Sequence, residues 1–472
     1  MSGFIIMLRI FKQYYPIRNI IFFLSEGVVI FVSILFASRI VIELGSFPAD
    51  RGIIFKILLI TIVSQACLYY NELYDLSVTS SLMELGIRLI QALGVAAIIL
   101  SGIYLVFPET TIKPEIFAIS IVFVILFIVS WRFCYSLILS RGIFNQKIIL
   151  LGSDDISKKI IYEIKNKKDS GYTVEVNIQE YPQNIASEFK ENMPATAYKK
   201  NYSGLCELAE EKNISKIIVA LRERRGALPT KELVKCRVSG IEIIEGTTFY
   251  EMITGKLSVD QTNPASIIFS EGFYKSTTRR FIKRAVDLIL SSSMIIFFSP
   301  LIIGIAILIK IDSTGPVLFS QERVGRNKEK YMLYKFRSMV ENAEEKSGPV
   351  WAKDNDKRIT RVGRFIRSWR FDEIPQLWNV LKGDMSLVGP RPEREYFINK
   401  LEDIIPYYGQ RFSVKPGITG WAQVSYGYGA SVEDAVEKLN YDLFYIKNMS
   451  IFMDLMIILR TVKIVLFGKG AR

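Results

Sequence analysis

The sequence predicts a multidomain membrane protein: a four-helix transmembrane unit, an α/β Rossmann-like domain, and an α/β-rich monotopic domain entered through a re-entrant broken helix. Three observations carry this reading. Half of the 472 residues are hydrophobic and the mean hydropathy is +0.25, high for a water-soluble chain. Four long apolar runs fill the first third, and a fifth, split by Ser299-Pro300, follows much later. Elsewhere strand-like segments alternate with amphipathic ones, the pattern of α/β domains. The expected boundaries are 1–142 for the membrane unit, 143–250 for the Rossmann-like domain, 251–278 for a linker and 279–472 for the last domain, with its re-entrant helix at 284–310.

The runs at 17–42, 53–70, 85–107 and 116–139 are each near the ~20 residues that a helix needs to cross a bilayer. No small-residue cleavage site follows the first, which is expected to be retained. Arg9, Lys12 and Arg18 precede the first run, and Arg132, Arg141 and Lys147 end the last. The intervening loops on the opposite side, 43–51 and 108–115, carry few positive charges, so the positive-inside rule puts both ends of the unit in the cytoplasm. Glu26 and Arg39, inside the first run, are expected to pair between helices or to snorkel rather than to mark a transport path.

In the middle part, 147–152 reads as a buried parallel strand and 153–167 as the helix after it. Further strands are expected at 173–178, 216–221 and 241–245, with helices at 203–213 and 230–239. The first turn is Gly152-Ser153-Asp154-Asp155. It offers one glycine where a dinucleotide fingerprint needs three, and two acids where pyrophosphate would approach. A structural or regulatory role is therefore expected for this domain.

The fifth run, 286–309, is flanked by Lys283 and Arg284 on one side and by Lys310 on the other. Pro300 removes a backbone hydrogen bond from its middle, and Ser299 can bond to the carbonyl so freed. A helix that breaks there, dips into one leaflet and returns to the cytoplasm is expected, in preference to a full span. Strand-like segments at 315–325 and 334–339 follow, the second carrying Lys335 and Arg337. Arg361, Arg364, Arg367 and Arg370 then recur at every third position, which drifts by about 60° per step and spreads them over one broad helix side. Val362, Phe365, Ile366 and Trp369 fall on the other side. Arginines without an intervening acid point to bound anions, either phosphates or lipid headgroups.

The chain has no histidine. That excludes Ser-His-Asp and Cys-His catalysis and histidine-ligated zinc, and leaves a carboxylate, Lys, Tyr, Ser or Cys as base or nucleophile. Cys67, Cys134, Cys206 and Cys236 have neither metal-site nor disulfide spacing and read as reduced thiols. The formal charge of +13 suits anionic headgroups or phosphorylated substrates, whereas a nucleic-acid partner would explain none of the apolar runs. Asp372-Glu373 follows the arginine run directly, and Pro375 stops the helix from continuing. Adjacent acids can serve as a helix N-terminus complementing the dipole, or can divide labour, one coordinating a metal while the other attacks phosphorus. Asp354-Asn-Asp356 resembles a glycosyltransferase Asp-X-Asp, and Tyr331 to Lys335 has a dehydrogenase-like spacing; neither has the surrounding features its role requires. The apolar stretch 451–467 is short for a span and is expected to dock at an interface.

From about Arg279 onward the chain resembles the bacterial sugar transferases, the polyprenyl-phosphate hexose-1-phosphate transferases. The blocks are Lys283-Arg-Ala-Val-Asp287, Ser299-Pro300, Asp312-Ser-Thr-Gly-Pro316, Lys335-Phe-Arg-Ser-Met339, Asp372-Glu-Ile-Pro-Gln-Leu-Trp-Asn379, Met385-Ser-Leu-Val-Gly-Pro-Arg-Pro392 and Lys415-Pro-Gly-Ile-Thr-Gly-Trp421. The whole chain is similar to the long form of the family, and Phe249-Tyr-Glu, Thr254-Gly and Val259-Asp-Gln resemble its exopolysaccharide-associated subgroup.

The resemblance implies transfer of hexose-1-phosphate from a UDP-sugar, such as UDP-glucose or UDP-galactose, to undecaprenyl phosphate, with release of UMP. It also implies Mg²⁺, a re-entrant membrane helix in the bacterial inner membrane, Asp372 as nucleophile and Glu373 as metal ligand. Lys335, Arg367 and Arg391 match positions associated with phosphate, and Arg337 and Arg364 of the same basic stretches are grouped with them. No residue pattern separates glucose from galactose or an N-acetylated sugar. Two other readings stay open: an inactive membrane scaffold of polysaccharide assembly, and a glycosyltransferase using Asp354 and Asp356 that would release UDP. The membrane and Rossmann-like parts also offer surfaces for a homodimer.

Overall fold

The computed structural model describes residues 7–10, 13–44, 52–74, 82–140, 145–152, 154–166, 170–179, 196–198, 204–221, 228–261, 272–273, 276–340, 358–427, 429 and 431–466. Asp354 and Asp356 lie outside the described residues. Two compact units divide at Gly246/Thr247.

In the first unit, a ribbon of β1 (Met7–Ile10) and β2 (Gln13–Pro16) leads into α1 (Ile17–Leu44), α2 (Ile53–Tyr70), α3 (Leu82–Val106) and α4 (Pro114–Ser140). These four helices are the four apolar runs, each long and apolar enough to cross a membrane. Within lipid a helix is the form in which such a segment satisfies its own backbone. They pack on one another through Ile30, Ile34, Ile57, Leu89 and Ile128. Glu26 on α1 is fully buried and pairs with Arg132 on α4, whose Nε and Nη2 both lie 2.7 Å from Oε1. Arg132 also donates to the Leu73 carbonyl at 2.6 Å and sits 5.3 Å from the Phe22 ring centroid. The helix-pairing expectation holds for Glu26, while Arg39 is exposed. Arg132 is not a flanking charge as expected: it lies inside α4, neutralised by Glu26.

The same unit carries β3 (Gln146–Leu151), α5 (Asp155–Asn166), β4 (Tyr172–Gln179), β5 (Thr196–Tyr198), α6 (Leu205–Glu211), β6 (Lys216–Val219), α7 (Thr230–Val238) and β7 (Glu242–Glu245). The strands form a parallel sheet of order β5-β4-β3-β6-β7, with α5 between β3 and β4, α6 between β5 and β6, and α7 between β6 and β7. Every expected strand is present, and the three-residue edge strand β5 is too short to show periodicity in the sequence. Gly152 has φ of 123°, and a Cβ there would sit 2.2 Å from the Ala220 carbonyl oxygen. Close packing of the sheet end accounts for this glycine without a ligand.

The second unit opens with α8 (Gly246–Thr254), and Leu257 and Val259, from the stretch expected as a linker, belong to its core. The apolar run forms one helix, α9 (Thr277–Asp312), helical through Pro300 rather than interrupted there. Ser299 Oγ donates to the Ile296 carbonyl at 2.7 Å, the oxygen that an N–H at position 300 would have served. The antiparallel hairpin β8 (Leu318–Val324) and β9 (Lys330–Phe336) follows, then α10 (Arg361–Ser368), α11 (Gln376–Lys382), β10 (Ser386–Val388) and α12 (Glu395–Glu402). The chain ends with β11 (Gly417–Thr419), parallel to β10, then α13 (Trp421–Ser425), α14 (Val432–Asn448) and α15 (Ile451–Leu466).

Both arms of α9 grip this unit. On the first arm, Lys283 pairs with Asp454 of α15 at 2.7 Å, Arg284 donates to the Val380 and Leu381 carbonyls of α11, and Asp287 accepts from Ser386 Oγ and Leu387 N. On the second, Ile305 and Ile309 pack on Phe336 and Ile366, and Asp312 accepts from Val362 N at the start of α10. Between them, Ile296, Phe297 and Ile303 are exposed. α15 buries Met453, Asp454 and Ile457 and exposes Leu455, Leu459, Val462 and Leu466, an apolar outer stripe consistent with interfacial docking.

Candidate active site

The acidic pair lies on a 3₁₀ turn (Phe371–Glu373) between α10, held by the second arm of α9, and α11, held by the first. Arg370 makes that turn. Its φ of 54° is left-handed, a conformation costing a non-glycine residue about 1–2 kcal/mol, and it ends α10 before Pro375 is reached. Such strain is commonly kept where a side chain must be aimed.

Four cations converge on the pair. Lys335 Nζ donates to Glu373 Oε1 at 2.8 Å and stands 3.9 Å from Asp372 Oδ2. Arg391 Nη2 donates to the same Glu373 oxygen at 3.3 Å, and Arg370 lies 4.0 Å from Oε2. Arg367 adds its charge beside Asp372. The two acids respond in opposite directions. Burial pushes the Asp372 carboxyl up, with the Glu373 charge adding, against the pull of Lys335, Arg367 and Arg391. Burial also opposes ionisation of Glu373, but Lys335, Arg391 and Arg370 together overcome it and hold that carboxyl well below its usual range. Separation of this kind is the mark of two acids with two tasks.

The neighbouring motif residues hold this arrangement. Asn379 is fully buried, accepts from Tyr334 N at 3.1 Å and donates to the Met332 carbonyl at 2.7 Å, so β9, and with it Lys335, is fastened to α11. Gly389 and Gly417 let β10 and β11 approach until a Cβ on Gly417 would lie 2.0 Å from Gly389 N. That contact seats the Pro-Arg-Pro turn at the end of β10.

Of the expected phosphate binders, Lys335, Arg367 and Arg391 meet at the dyad. Arg364 is exposed on α10. Arg337 lies apart from them: it is buried, and its guanidinium donates to the Ser313 and Thr314 carbonyls and to Ser313 Oγ at the exit of α9. The apolar side of α10 also divides: Ile366 is buried, whereas Phe365 and Trp369 remain 53% and 40% exposed beside the arginines. Arg411 and Asp442 do not figure in the sequence reading; a buried arginine or aspartate carries no periodic signal.

Among the described residues no group of three or more His, Cys, Asp or Glu side chains could hold a metal. Two adjacent carboxylates nevertheless suit Mg²⁺, which takes one or two protein carboxylates and completes its shell with phosphate oxygens and water. They do not suit a closed, all-protein site.

A carboxylate pair inside a cluster of cations, in a unit with a helix long and apolar enough to cross a membrane, has the charges that a phosphorylated ligand requires. Residues 278–468 match the bacterial sugar transferase family. The chain is 30% identical over 325 residues to the UDP-glucose:undecaprenyl-phosphate glucose-1-phosphate transferase of Escherichia coli strain K12, covering 68% of each protein. It is 42% identical over 240 residues to the UDP-N-acetylgalactosamine-undecaprenyl-phosphate N-acetylgalactosaminephosphotransferase of Aeromonas hydrophila, 51% of this chain and 56% of that one. A third match, the exopolysaccharide production protein PSS of Rhizobium leguminosarum bv. phaseoli, is 42% identical over 186 residues, 38% of this chain but 93% of that protein. The chain belongs to the bacterial sugar transferase family. It matches about half the length or less of several of these relatives.

Proposed function

We propose that the protein transfers a sugar-1-phosphate from a UDP-sugar to undecaprenyl phosphate, the initiating step of a surface polysaccharide. The observation that carries this is the buried pair Asp372-Glu373 among Lys335, Arg367, Arg370 and Arg391: burial pushes the Asp372 carboxyl up, while Lys335, Arg391 and Arg370 hold that of Glu373 down. The ionised Asp372 carboxylate attacks the sugar-proximal phosphorus, the bond to the bridging oxygen breaks, and UMP leaves with that oxygen. The phosphosugar remains esterified to Asp372 until an oxygen of undecaprenyl phosphate attacks the same phosphorus and returns the carboxylate. No proton needs to be taken up or released by a histidine, because both attacking groups are anions.

Lys335, Arg367 and Arg391 bind the diphosphate and stabilise charge on the transferring phosphoryl group. Glu373, with Asp372 beside it, would hold Mg²⁺, which when bound would supply positive charge to the substrate diphosphate and to the departing UMP. The relatives act by name on N-acetylgalactosamine, glucose and galactose donors, so the sugar is one of this UDP-hexose class.

The acceptor requires the site to lie at the bilayer surface. A straight α9 of 36 residues would be about 54 Å long, well beyond a ~30 Å hydrocarbon core. A full crossing would separate its two ends, yet both are tied to the same unit, through Lys283–Asp454 and through Asp312 to α10. A helix that enters and leaves on one side, with Ile296, Phe297 and Pro300 deepest, satisfies both ties; charge bias puts that side in the cytoplasm.

The test is incubation of membranes with a panel of UDP-sugars and undecaprenyl phosphate, reading the nucleotide released. UMP is expected from one donor and is lost in Asp372→Asn, together with label trapped on the protein. Release of UDP, or equal trapping on Asp372→Asn, overturns the reading.

A further inference from the structure

Arg391 reaches Glu373 from a turn that has few backbone donors of its own. Pro390 and Pro392 have no N–H, and a residue preceding proline is kept extended. The turn is held instead by its carbonyls. That of Pro390 accepts from Gly417 N at 2.9 Å, that of Arg391 from Arg411 Nη2 at 3.0 Å, that of Pro392 from Arg323 Nη1 at 3.2 Å, and that of Glu393 from Val324 N at 3.2 Å.

Arg411 is the buried member of this set. It is 7% exposed, its Nη1 donates to the Tyr408 hydroxyl at 2.6 Å, and the nitrogen that binds Arg391 also donates to Asp442 Oδ2 at 3.0 Å. Asp442, on α14, is itself only 2% exposed. Replacing a buried ion pair by apolar residues is often neutral or stabilising, so stability alone gives little reason to bury this one. What the pair supplies is a planar donor fixed at one point, directly behind the residue whose side chain reaches the dyad.

We propose that Arg411 is a positioning residue for phosphosugar transfer: clamped by Asp442 and Tyr408, it holds the Arg391 carbonyl and so sets the direction in which Arg391 meets Glu373 and the substrate phosphates. This rests on the transferase reading above. The experiment is a double-mutant cycle in the full-length protein, reconstituted with undecaprenyl phosphate and the UDP-sugar that yields UMP. Arg411→Gln is expected to lower kcat/KM by up to about 100-fold, the scale of an ångström-sized misplacement at a reacting centre. In an Arg391→Lys background the same change is expected to cost less than about threefold, since the group it positions is already altered. Arg411→Lys, which keeps one donor, falls between. Thermal unfolding is read alongside, and the stability loss should be equal in both backgrounds. Where Arg411→Gln does not fold, Asp442→Asn is put through the same cycle. Equal fold-losses in the two backgrounds overturn the proposal. A wild-type protein that releases no UMP from any donor overturns the transferase reading, which is a separate outcome.

Discussion

At the scale of residues, Asp372 and Glu373 are chemically near-equivalent and differ only in what surrounds them. Lys335 is the strongest charge acting on either, lowering the pKa of both. Removing it leaves burial and the Glu373 charge, which raise the Asp372 pKa, opposed by Arg367 and Arg391 alone of the cations that act on it. Lys335→Gln is therefore expected to move the acid limb of the pH profile of kcat/KM to higher pH, besides lowering the plateau by about 10²–10³-fold as a phosphate-binding donor is lost. A limb that moves to lower pH would contradict the role given to Lys335. Arg337 makes the opposite case. With its guanidinium on Ser313 and Thr314, Arg337→Ala is expected to lower the Tm while leaving KM for the UDP-sugar within about twofold, the pattern of a lost structural bond. A large rise in KM at unchanged Tm would restore it to the phosphate site.

At the scale of elements, α9 and the α1–α4 bundle use polar residues inside apolar segments in different ways. The Glu26–Arg132 pair joins α1 to α4 where water is excluded. Glu26→Ala leaves Arg132 charged and buried, which is expected to cost about 3–5 kcal/mol and to appear as a lower Tm in detergent. The double change Glu26→Leu with Arg132→Leu is expected to recover most of that loss. In α9 the polar device is Ser299-Pro300, where the serine serves the Ile296 carbonyl that the proline leaves unserved. The apolar middles of both elements were legible from run length, because a bilayer or a core imposes that length directly, whereas α9 begins at Thr277, ahead of its apolar run. The division of the α10 face was not, since Phe365 and Ile366 are equally apolar and only the packing of Ile366 against Ile305 and Ile309 tells them apart.

At the scale of the whole molecule, the residues matching the family, 278–468, fall inside the second compact unit. The match to the exopolysaccharide production protein PSS fills 93% of that protein and 38% of this chain. Residues 247–472 expressed alone are expected to stay membrane-bound through α9 and to release UMP within about tenfold of the full-length rate, scored by the same nucleotide assay. Loss of all activity in a folded, membrane-bound fragment would assign the first unit a direct part in catalysis.

By itself the sequence determined the kinds and order of the parts: the apolar helices, the parallel sheet, the histidine-free site, and the acidic pair set in basic surroundings. These follow from composition and period, which are local quantities. Which cation serves which acid was decided only by the tertiary structure. Lys335 comes from a strand, Arg370 and Glu373 from one turn and Arg391 from another, and their meeting depends on Asn379, the Gly389–Gly417 contact and Arg411. The opposite acidities of Asp372 and Glu373 arise from distances of a few ångströms in a buried setting, and no spacing along the chain encodes those.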